Sequence, residues 1–131
     1  MGGRGAASGV SDKGRKYGTE YHSVLVKDNI KFIKYNFGNA TAPYETQGGE
    51  KRIYVTVNNK DIPKYITTYD SNGKRTRQID LTGQGHYVNG EKLETPHVHV
   101  GYEHQGSVTR RLTKKERALV EYVNKVWNNR T

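Results

Sequence analysis

Hydrophobic and polar residues alternate along much of the chain with the two-residue period of β-strands. The alternation is cleanest over residues 51–57, where three aliphatic side chains share one face. Shorter β-prone runs occupy residues 23–26 and 30–37, with a Lys-Asp-Asn turn between them. Each run predicts a strand that buries one side and exposes the other.

A β-hairpin is the clearest local prediction. Residues 65–69 and 74–81 lie on either side of an Asp-Ser-Asn-Gly turn at residues 70–73, and an Asn-Gly pair readily adopts the positive φ of a tight turn. In the second strand, alternation places Arg77 on the core face and Asp80 on the opposite face.

The elements that follow complete an α+β pattern. A second Asn-Gly pair at residues 89–90 predicts a smaller hairpin, and an extended run begins after Pro96. A terminal helix is predicted from a capping box, Thr113-Lys-Lys-Glu116, and from an apolar stripe that comprises Leu119, Val120, Val123, Val126 and Trp127. We therefore predict an α+β fold in which an antiparallel sheet of about five or six strands packs against a C-terminal helix.

The chain divides into a tail and one domain. Residues 1–18 are rich in glycine, small residues and basic side chains, so we expect a flexible, disordered tail. Residues 19–131 are predicted to form a single domain of ordinary size. Ten tyrosines and one tryptophan indicate that its modest core is rich in aromatic side chains.

Composition excludes several kinds of chemistry. The chain has no cysteine, which rules out disulfides, thiol catalysis and cysteine-ligated zinc. The N-terminus lacks the apolar segment of a signal peptide, and no stretch approaches the roughly 18 apolar residues of a membrane span. We therefore expect a cytoplasmic protein with no membrane partner.

The charge balance favours a polyanionic partner. The formal net charge is +9, which favours nucleic acid, although a surplus of this size also occurs in proteins that it merely keeps soluble. RNA rather than DNA is the partner that we predict, because the acid–base chemistry considered below uses a 2′-hydroxyl. A basic cluster at the start of the helix is a candidate phosphate-binding platform, comprising Arg110, Arg111, Lys114, Lys115 and Arg117. The alternative is a solvated helix face, although positive charge in a first helical turn is electrostatically unfavourable.

Four of the five histidines fall between positions 86 and 104. His97 and His99 lie two apart on a predicted strand, so both project from one face, and His86 follows a loop that returns to the same sheet. One interpretation is an acid–base pair that cleaves phosphodiesters, formed by His86 with His97 or His99. A second is that the imidazoles bind zinc or another first-row metal, and a third is that they only form hydrogen bonds.

Neighbouring residues extend the acid–base interpretation. Arg77 could stabilise phosphoryl charge, and Asp80 could orient a histidine. The Gly-Gln-Gly loop at residues 83–85 offers amide and backbone donors for an oxyanion, and its alternative interpretation is a simple β-bulge.

Several short stretches resemble known proteins. Residues 1–9 (Met-Gly-Gly-Arg-Gly-Ala-Ala-Ser-Gly) are similar to the start of small phage proteins, and of modules of head-morphogenesis proteins, from Gram-positive hosts. Residues 69–73 (Tyr-Asp-Ser-Asn-Gly), 79–82 (Ile-Asp-Leu-Thr), 85–86 (Gly-His) and 96–99 (Pro-His-Val-His) resemble phage-linked and polymorphic-toxin domains. Such domains are often grouped with barnase-like, colicin-type and RelE-like ribonucleases.

This resemblance implies an α+β domain that cuts RNA without a metal, with His86, His97, His99, Arg77 and Asp80 as the catalytic residues. No metal ligand and no cofactor are assigned, and the implied protein partners are a phage structural protein or an immunity protein. The chain departs from the pattern in one respect, because those ribonuclease folds usually place helices before the sheet.

The leading prediction is thus a phage-related, RNA-binding domain with a ribonuclease-like histidine site. Two alternatives from other classes stay open: a non-enzymatic phage assembly or accessory protein, and a small metal-binding domain with histidine ligands.

Overall fold

The computed structural model describes residues 9–10, 20–43, 45–46, 52–81, 86–88, 91–93, 96–101 and 108–130. Eleven strands and one helix are present in these ranges. The strands are β1 (Gly9–Val10), β2 (Tyr21–Lys27), β3 (Ile30–Tyr35), β4 (Glu45–Thr46), β5 (Ile53–Val57), β6 (Pro63–Tyr69), β7 (Arg75–Asp80), β8 (His86–Val88), β9 (Glu91–Leu93), β10 (His97–Val100) and β11 (Val108–Arg110), and the helix is α1 (Lys114–Asn128).

Seven strands form the main sheet, in the order β11-β10-β7-β6-β5-β3-β2. The α+β class is confirmed, but the prediction of a purely antiparallel sheet of five or six strands is wrong. Strands β3 and β5 pair in parallel, with Ile30 beside Ile53 and Phe32 beside Val55. Alternation within a strand determines which face is buried, and it carries no information about the direction of the neighbouring strand.

The predicted hairpin is confirmed as β6 and β7. At its turn, Asp70 Oδ1 accepts hydrogen bonds from the backbone N–H groups of Asn72 and Lys74, at 2.8 and 3.0 Å. Gly73 has φ +78° and packs so closely that a Cβ there would lie 2.1 Å from the carbonyl oxygen of Thr46. The turn therefore requires glycine both for its conformation and for its space. The smaller hairpin is also present as β8 and β9, while its turn residues, 89–90, lie outside the described residues.

Helix α1 packs on one face of the sheet, over the larger hydrophobic cluster. The buried members of this cluster are Ile30, Phe32, Val55, Val57, Ile66, Ile79, Val98, Leu112, Val123 and Trp127. The predicted capping box is confirmed, because Thr113 Oγ1 accepts from the Glu116 N–H while Thr113 N–H donates to Glu116 Oε1. The predicted apolar stripe is confirmed as well, and Trp127 stacks on Phe32 with ring centroids 5.3 Å apart.

The opposite face of the sheet carries a smaller cluster that is rich in tyrosine. Its buried members are Tyr21, Ile33, Tyr35, Tyr54 and Tyr69. Three of the phenol groups have hydrogen-bond partners in the segment beside them: Tyr21 donates to the carbonyl of Thr41, Tyr69 donates to that of Pro43, and Tyr54 shares a hydrogen bond with the Thr46 hydroxyl. The tyrosine-rich core that the composition indicates is therefore present on this face.

Strand β1 lies within the predicted tail and pairs with β4, so Gly9 and Val10 depart from the expectation of disorder. The rest of residues 1–18 lies outside the described residues. In the part of the chain that the structure describes, no helix combines the length and the apolar character needed to cross a membrane.

Candidate metal centre

Two histidines project from the tyrosine-bearing face of the sheet, as the sequence predicts. Strand β10 directs His97 and His99 to this face and Val98 into the core beneath the helix. Its neighbour β7 places Asp80 directly opposite His97 and Gln78 directly opposite His99. Cross-strand pairing therefore brings together four polar side chains that lie up to 21 positions apart in the sequence.

Both imidazoles approach the same carboxylate oxygen. His99 Nε2 lies 3.2 Å from Asp80 Oδ2, and His97 Nε2 lies 3.3 Å from that atom. The two rings meet edge to face, with centroids 5.0 Å apart. One ligand atom from each of the three residues lies within 4.8 Å of the others, which is compact enough for one metal ion to contact all three.

Hydrogen bonds to other residues orient the carboxylate of Asp80 and the ring of His99. Asp80 Oδ1 accepts from Gln78 Nε2 at 2.8 Å, so Oδ2 is the oxygen directed at the histidines. Gln78 is held in turn, since its Oε1 accepts from Arg75 Nη1 at 2.8 Å. On the other side of the cluster, His99 Nδ1 lies 2.9 Å from the hydroxyl of Thr109 on β11.

The carboxyl of Asp80 is ionised at neutral pH despite its burial. Burial alone would raise the pKa of Asp80, but hydrogen bonds from His99 and Gln78, together with the charges of His99 and His97, outweigh this and lower the pKa. The cluster therefore presents an anionic oxygen between two imidazole nitrogens, which is a donor set that binds divalent transition metals.

The three side chains are largely enclosed. His97 is 1% exposed, and His99 and Asp80 are each 9% exposed. A general acid or base must touch the proton that it transfers, so RNA does not reach His97 in this conformation. A metal ion is far smaller than RNA, and metal ions are commonly bound by enclosed side chains.

Arg77, predicted to act beside the histidines, lies on the other face of the sheet. Its Nη1 donates to Glu116 Oε2 on α1 at 2.9 Å. Alternation explains the separation, because Arg77 shares the helix-facing side with Ile79 while Asp80 points away. His86 begins β8 and pairs with Leu93, and its side chain lies outside the described residues, as do residues 83–85 and His104.

Two arginines of the predicted basic platform form hydrogen bonds within the protein. Arg110 contacts both carboxylate oxygens of Glu116, at 2.8 and 3.0 Å, and Arg117 donates to the carbonyl of Leu112. Hydrogen bonding by Arg110 is the main reason that the pKa of Glu116 falls to about 2. The unfavourable positive charge at the helix start is thus offset by Glu116, while Arg111, Lys114 and Lys115 are exposed.

Three residues that build the site, Gln78, Arg75 and Thr109, are not predicted as site residues from the sequence. Alternation along β7 offered a signal for Gln78, which shares the face of Asp80. Thr109 had no such signal, because β11 is only three residues long and was not predicted as a strand. No protein-family model, curated protein or solved structure matches this chain.

Proposed function

We propose that Asp80, His97 and His99 bind one divalent first-row metal ion, and that zinc suits their donor set best. The convergence of both Nε2 atoms on one carboxylate oxygen supports this proposal. Ligand atoms about 2.1 Å from a zinc ion lie about 3.4 Å apart in a tetrahedron. Asp80 Oδ2 lies 3.2 Å from His99 Nε2 and 3.3 Å from His97 Nε2, and both distances are close to that edge length.

Asp80 Oδ2 can accept a hydrogen bond from each ring, and a divalent cation would attract the carboxylate and both imidazoles at once. Metal-binding histidines usually donate their other ring N–H to an acceptor, which fixes the ring and its tautomer. The contact between His99 Nδ1 and the Thr109 hydroxyl has this form, and Gln78 holds Asp80 in the same manner.

Three protein ligands leave a position for water in a four-coordinate zinc site. Zinc makes bound water acidic enough to act as hydroxide near neutral pH, so such a site suits hydrolysis. The net charge of +9 favours a polyanionic partner, and we propose that nucleic acid binds at the exposed basic surface, because a macromolecule does not reach the enclosed cluster in this conformation.

Titration with Co²⁺, followed by visible absorption, tests the metal site. We expect one equivalent to bind with the absorption of a four-coordinate ion, and Asp80→Asn and His99→Ala to lower the affinity at least 100-fold. The matched control is His22→Ala, since His22 is exposed and contacts Asn36 far from the cluster. Equal binding by all four proteins would place the metal elsewhere and overturn the proposal.

Metal-independent RNA cleavage is the second candidate. The hydrogen-bonded series of Asp80, His99 and Thr109 favours it, because a general base needs an oriented ring. Labelled RNA incubated with the protein in EDTA distinguishes the two. Cutting that survives EDTA and is lost in His86→Ala and His97→Ala supports the acid–base site, whereas cutting that EDTA abolishes supports the metal site.

A further inference from the structure

A cavity of about 200 Å³, here called the hairpin–helix cavity, lies between the hairpin of β6 and β7 and the start of α1. It lies on the face of the sheet opposite to Asp80, since Arg77 and Ile79 line it. Its apolar walls come from Ile66, Ile79 and Leu119, and its polar groups include Thr68, Arg77 and Lys115. The volume is below the roughly 300 Å³ of pockets that enclose a whole drug-sized ligand, so the cavity accommodates one small group.

The hairpin–helix cavity has a buried apolar end and an exposed basic side. Ile66 and Ile79 are 1% and 3% exposed. The side chain of Arg77 is 42% exposed, and Lys115 is exposed on the first turn of α1. A ligand that enters from solvent therefore meets positive charge first and an apolar floor behind it. This order suits a group that combines a flat apolar face with an attached anion.

Among the residues that line the cavity, Glu116 is acidic, and its charge is already engaged. The carboxylate accepts hydrogen bonds from Arg77 Nη1 and from both terminal nitrogens of Arg110. Two arginines face this one carboxylate, so positive charge remains, and Lys115 adds to it. The side chain of Arg110 is itself 36% exposed. The surface around the cavity therefore attracts anions despite the presence of Glu116.

A nucleotide within a single-stranded nucleic acid has this combination of groups. Its base offers a flat face that stacks on side chains, arginine included, and phosphates flank it on both sides. In a duplex the base is stacked inside the helix, and its face is not available without extrusion. Arg111 and Lys114, which are exposed close to Lys115 in the sequence, extend the positive surface beyond the cavity. That extension suits several consecutive phosphates better than a single one.

We propose that the hairpin–helix cavity binds one unpaired base of a single-stranded nucleic acid. The base packs against Ile79 and Leu119 and stacks on the guanidinium of Arg77, while Lys114 and Lys115 bind the flanking phosphates. This inference rests on the proposed binding of nucleic acid at the exposed basic surface. It is independent of the proposed metal site, which lies on the other face of the sheet.

Fluorescence anisotropy with a labelled adenine octamer, titrated with the full chain, tests the inference. A 2′-O-methyl backbone prevents cleavage through the 2′-hydroxyl. We expect the octamer to bind at least tenfold more tightly than an abasic strand of the same length and charge, because only the octamer has bases to place in the cavity. Both strands are expected to bind more weakly in Lys115→Glu and at high salt, because both carry the phosphates.

Variants that fill the cavity separate base binding from phosphate binding. In Leu119→Trp the octamer should bind no more tightly than the abasic strand, whose own affinity should not change. Thr68→Phe fills the cavity from the hairpin side and is expected to have the same effect. Val126→Trp is the matched control, because Val126 is a half-buried residue of the same helix that lines a separate groove beside β2. Unchanged binding of the abasic strand also shows that a variant is folded.

Equal affinity of the parent protein for the octamer and the abasic strand would overturn the base-binding cavity, yet nucleic-acid binding at the basic surface would stand. If neither strand binds, both proposals fail. Octamer binding that is unchanged in both Leu119→Trp and Thr68→Phe would place the base elsewhere. Adenosine monophosphate that binds as tightly as the octamer would identify a site for free nucleotides, and tighter binding of a duplex of equal length would exclude an unpaired base.

Discussion

Asp80 pairs in register with His97, yet its hydrogen bond goes to His99, two residues further along β10. This diagonal contact arises because Gln78, the register partner of His99, donates to Asp80 Oδ1 and leaves Oδ2 directed between the two rings. The carboxylate is therefore shared by two imidazoles, and this sharing is the geometry that a bound cation would explain.

The Thr109 hydroxyl is expected to tune the metal affinity. Thr109→Val removes the partner of His99 Nδ1 with little change in shape, so we expect zinc affinity to fall about 10- to 100-fold. Thr109→Ser keeps the hydroxyl and is expected to stay close to the parent protein. Competition with a chromophoric chelator measures both affinities, and equal losses in the two variants would show that packing of Thr109, rather than its hydroxyl, matters.

Zinc is expected to stabilise the folded protein. A ligand that binds only the native state at 100 times its Kd adds about 2.7 kcal/mol to the free energy of unfolding. Thermal unfolding with and without zinc should therefore show a higher Tm for the parent protein and no change for Asp80→Asn. A similar zinc-dependent rise in the variant would contradict binding by Asp80.

Glu116 is expected to make stability depend on pH in the acid range. Hydrogen bonding by Arg110 holds its pKa at about 2, below the ordinary 4.5, so its contribution is complete above about pH 4.5 and is lost as pH falls toward 2. The lowering of the Glu116 pKa corresponds to about 3 kcal/mol in the free energy of unfolding. Partial exposure of Arg77 and Arg110 reduces this contribution to about 2 kcal/mol.

Urea unfolding of Glu116→Gln measures this contribution. The variant should be less stable than the parent by about 2 kcal/mol at pH 7, and the two should converge near pH 2. A constant difference across this range would mean that the loss comes from packing and not from the charge.

The hairpin turn should not tolerate a side chain at Gly73. Gly73→Ala combines positive φ with a Cβ only 2.1 Å from the Thr46 carbonyl, so we expect a loss of roughly 3 kcal/mol. Gly38→Ala is the matched control, because Gly38 also has positive φ, +97°, but has open space around it, and roughly 1 kcal/mol is expected. Chemical denaturation compares the two, and equal losses would show that the close approach is unimportant.

The sequence predicts those parts of the fold that depend on local patterns. The hairpin of β6 and β7 follows from its Asn-Gly turn, and the helix follows from its capping box. The parallel pairing of β3 with β5 could not be predicted in this way, because alternation within a strand carries no information about the direction of its neighbour.

The candidate site was predictable to a similar extent. Alternation placed His97 and His99 on one face, but it does not specify their register against Asp80 on the neighbouring strand. The same alternation already separated Arg77 from Asp80, so grouping them by proximity in sequence was misleading. Glu116, the hydrogen-bond partner of Arg77, lies 39 residues away in the sequence, so no local pattern predicts this contact.

Anomalous scattering at the zinc absorption edge, from crystals grown with one equivalent of zinc, tests the metal site most directly. The expected result is one peak per chain, about 2.0–2.2 Å from His97 Nε2, His99 Nε2 and an oxygen of Asp80. A map with no peak among these three side chains, from crystals that contain zinc elsewhere or not at all, would contradict it.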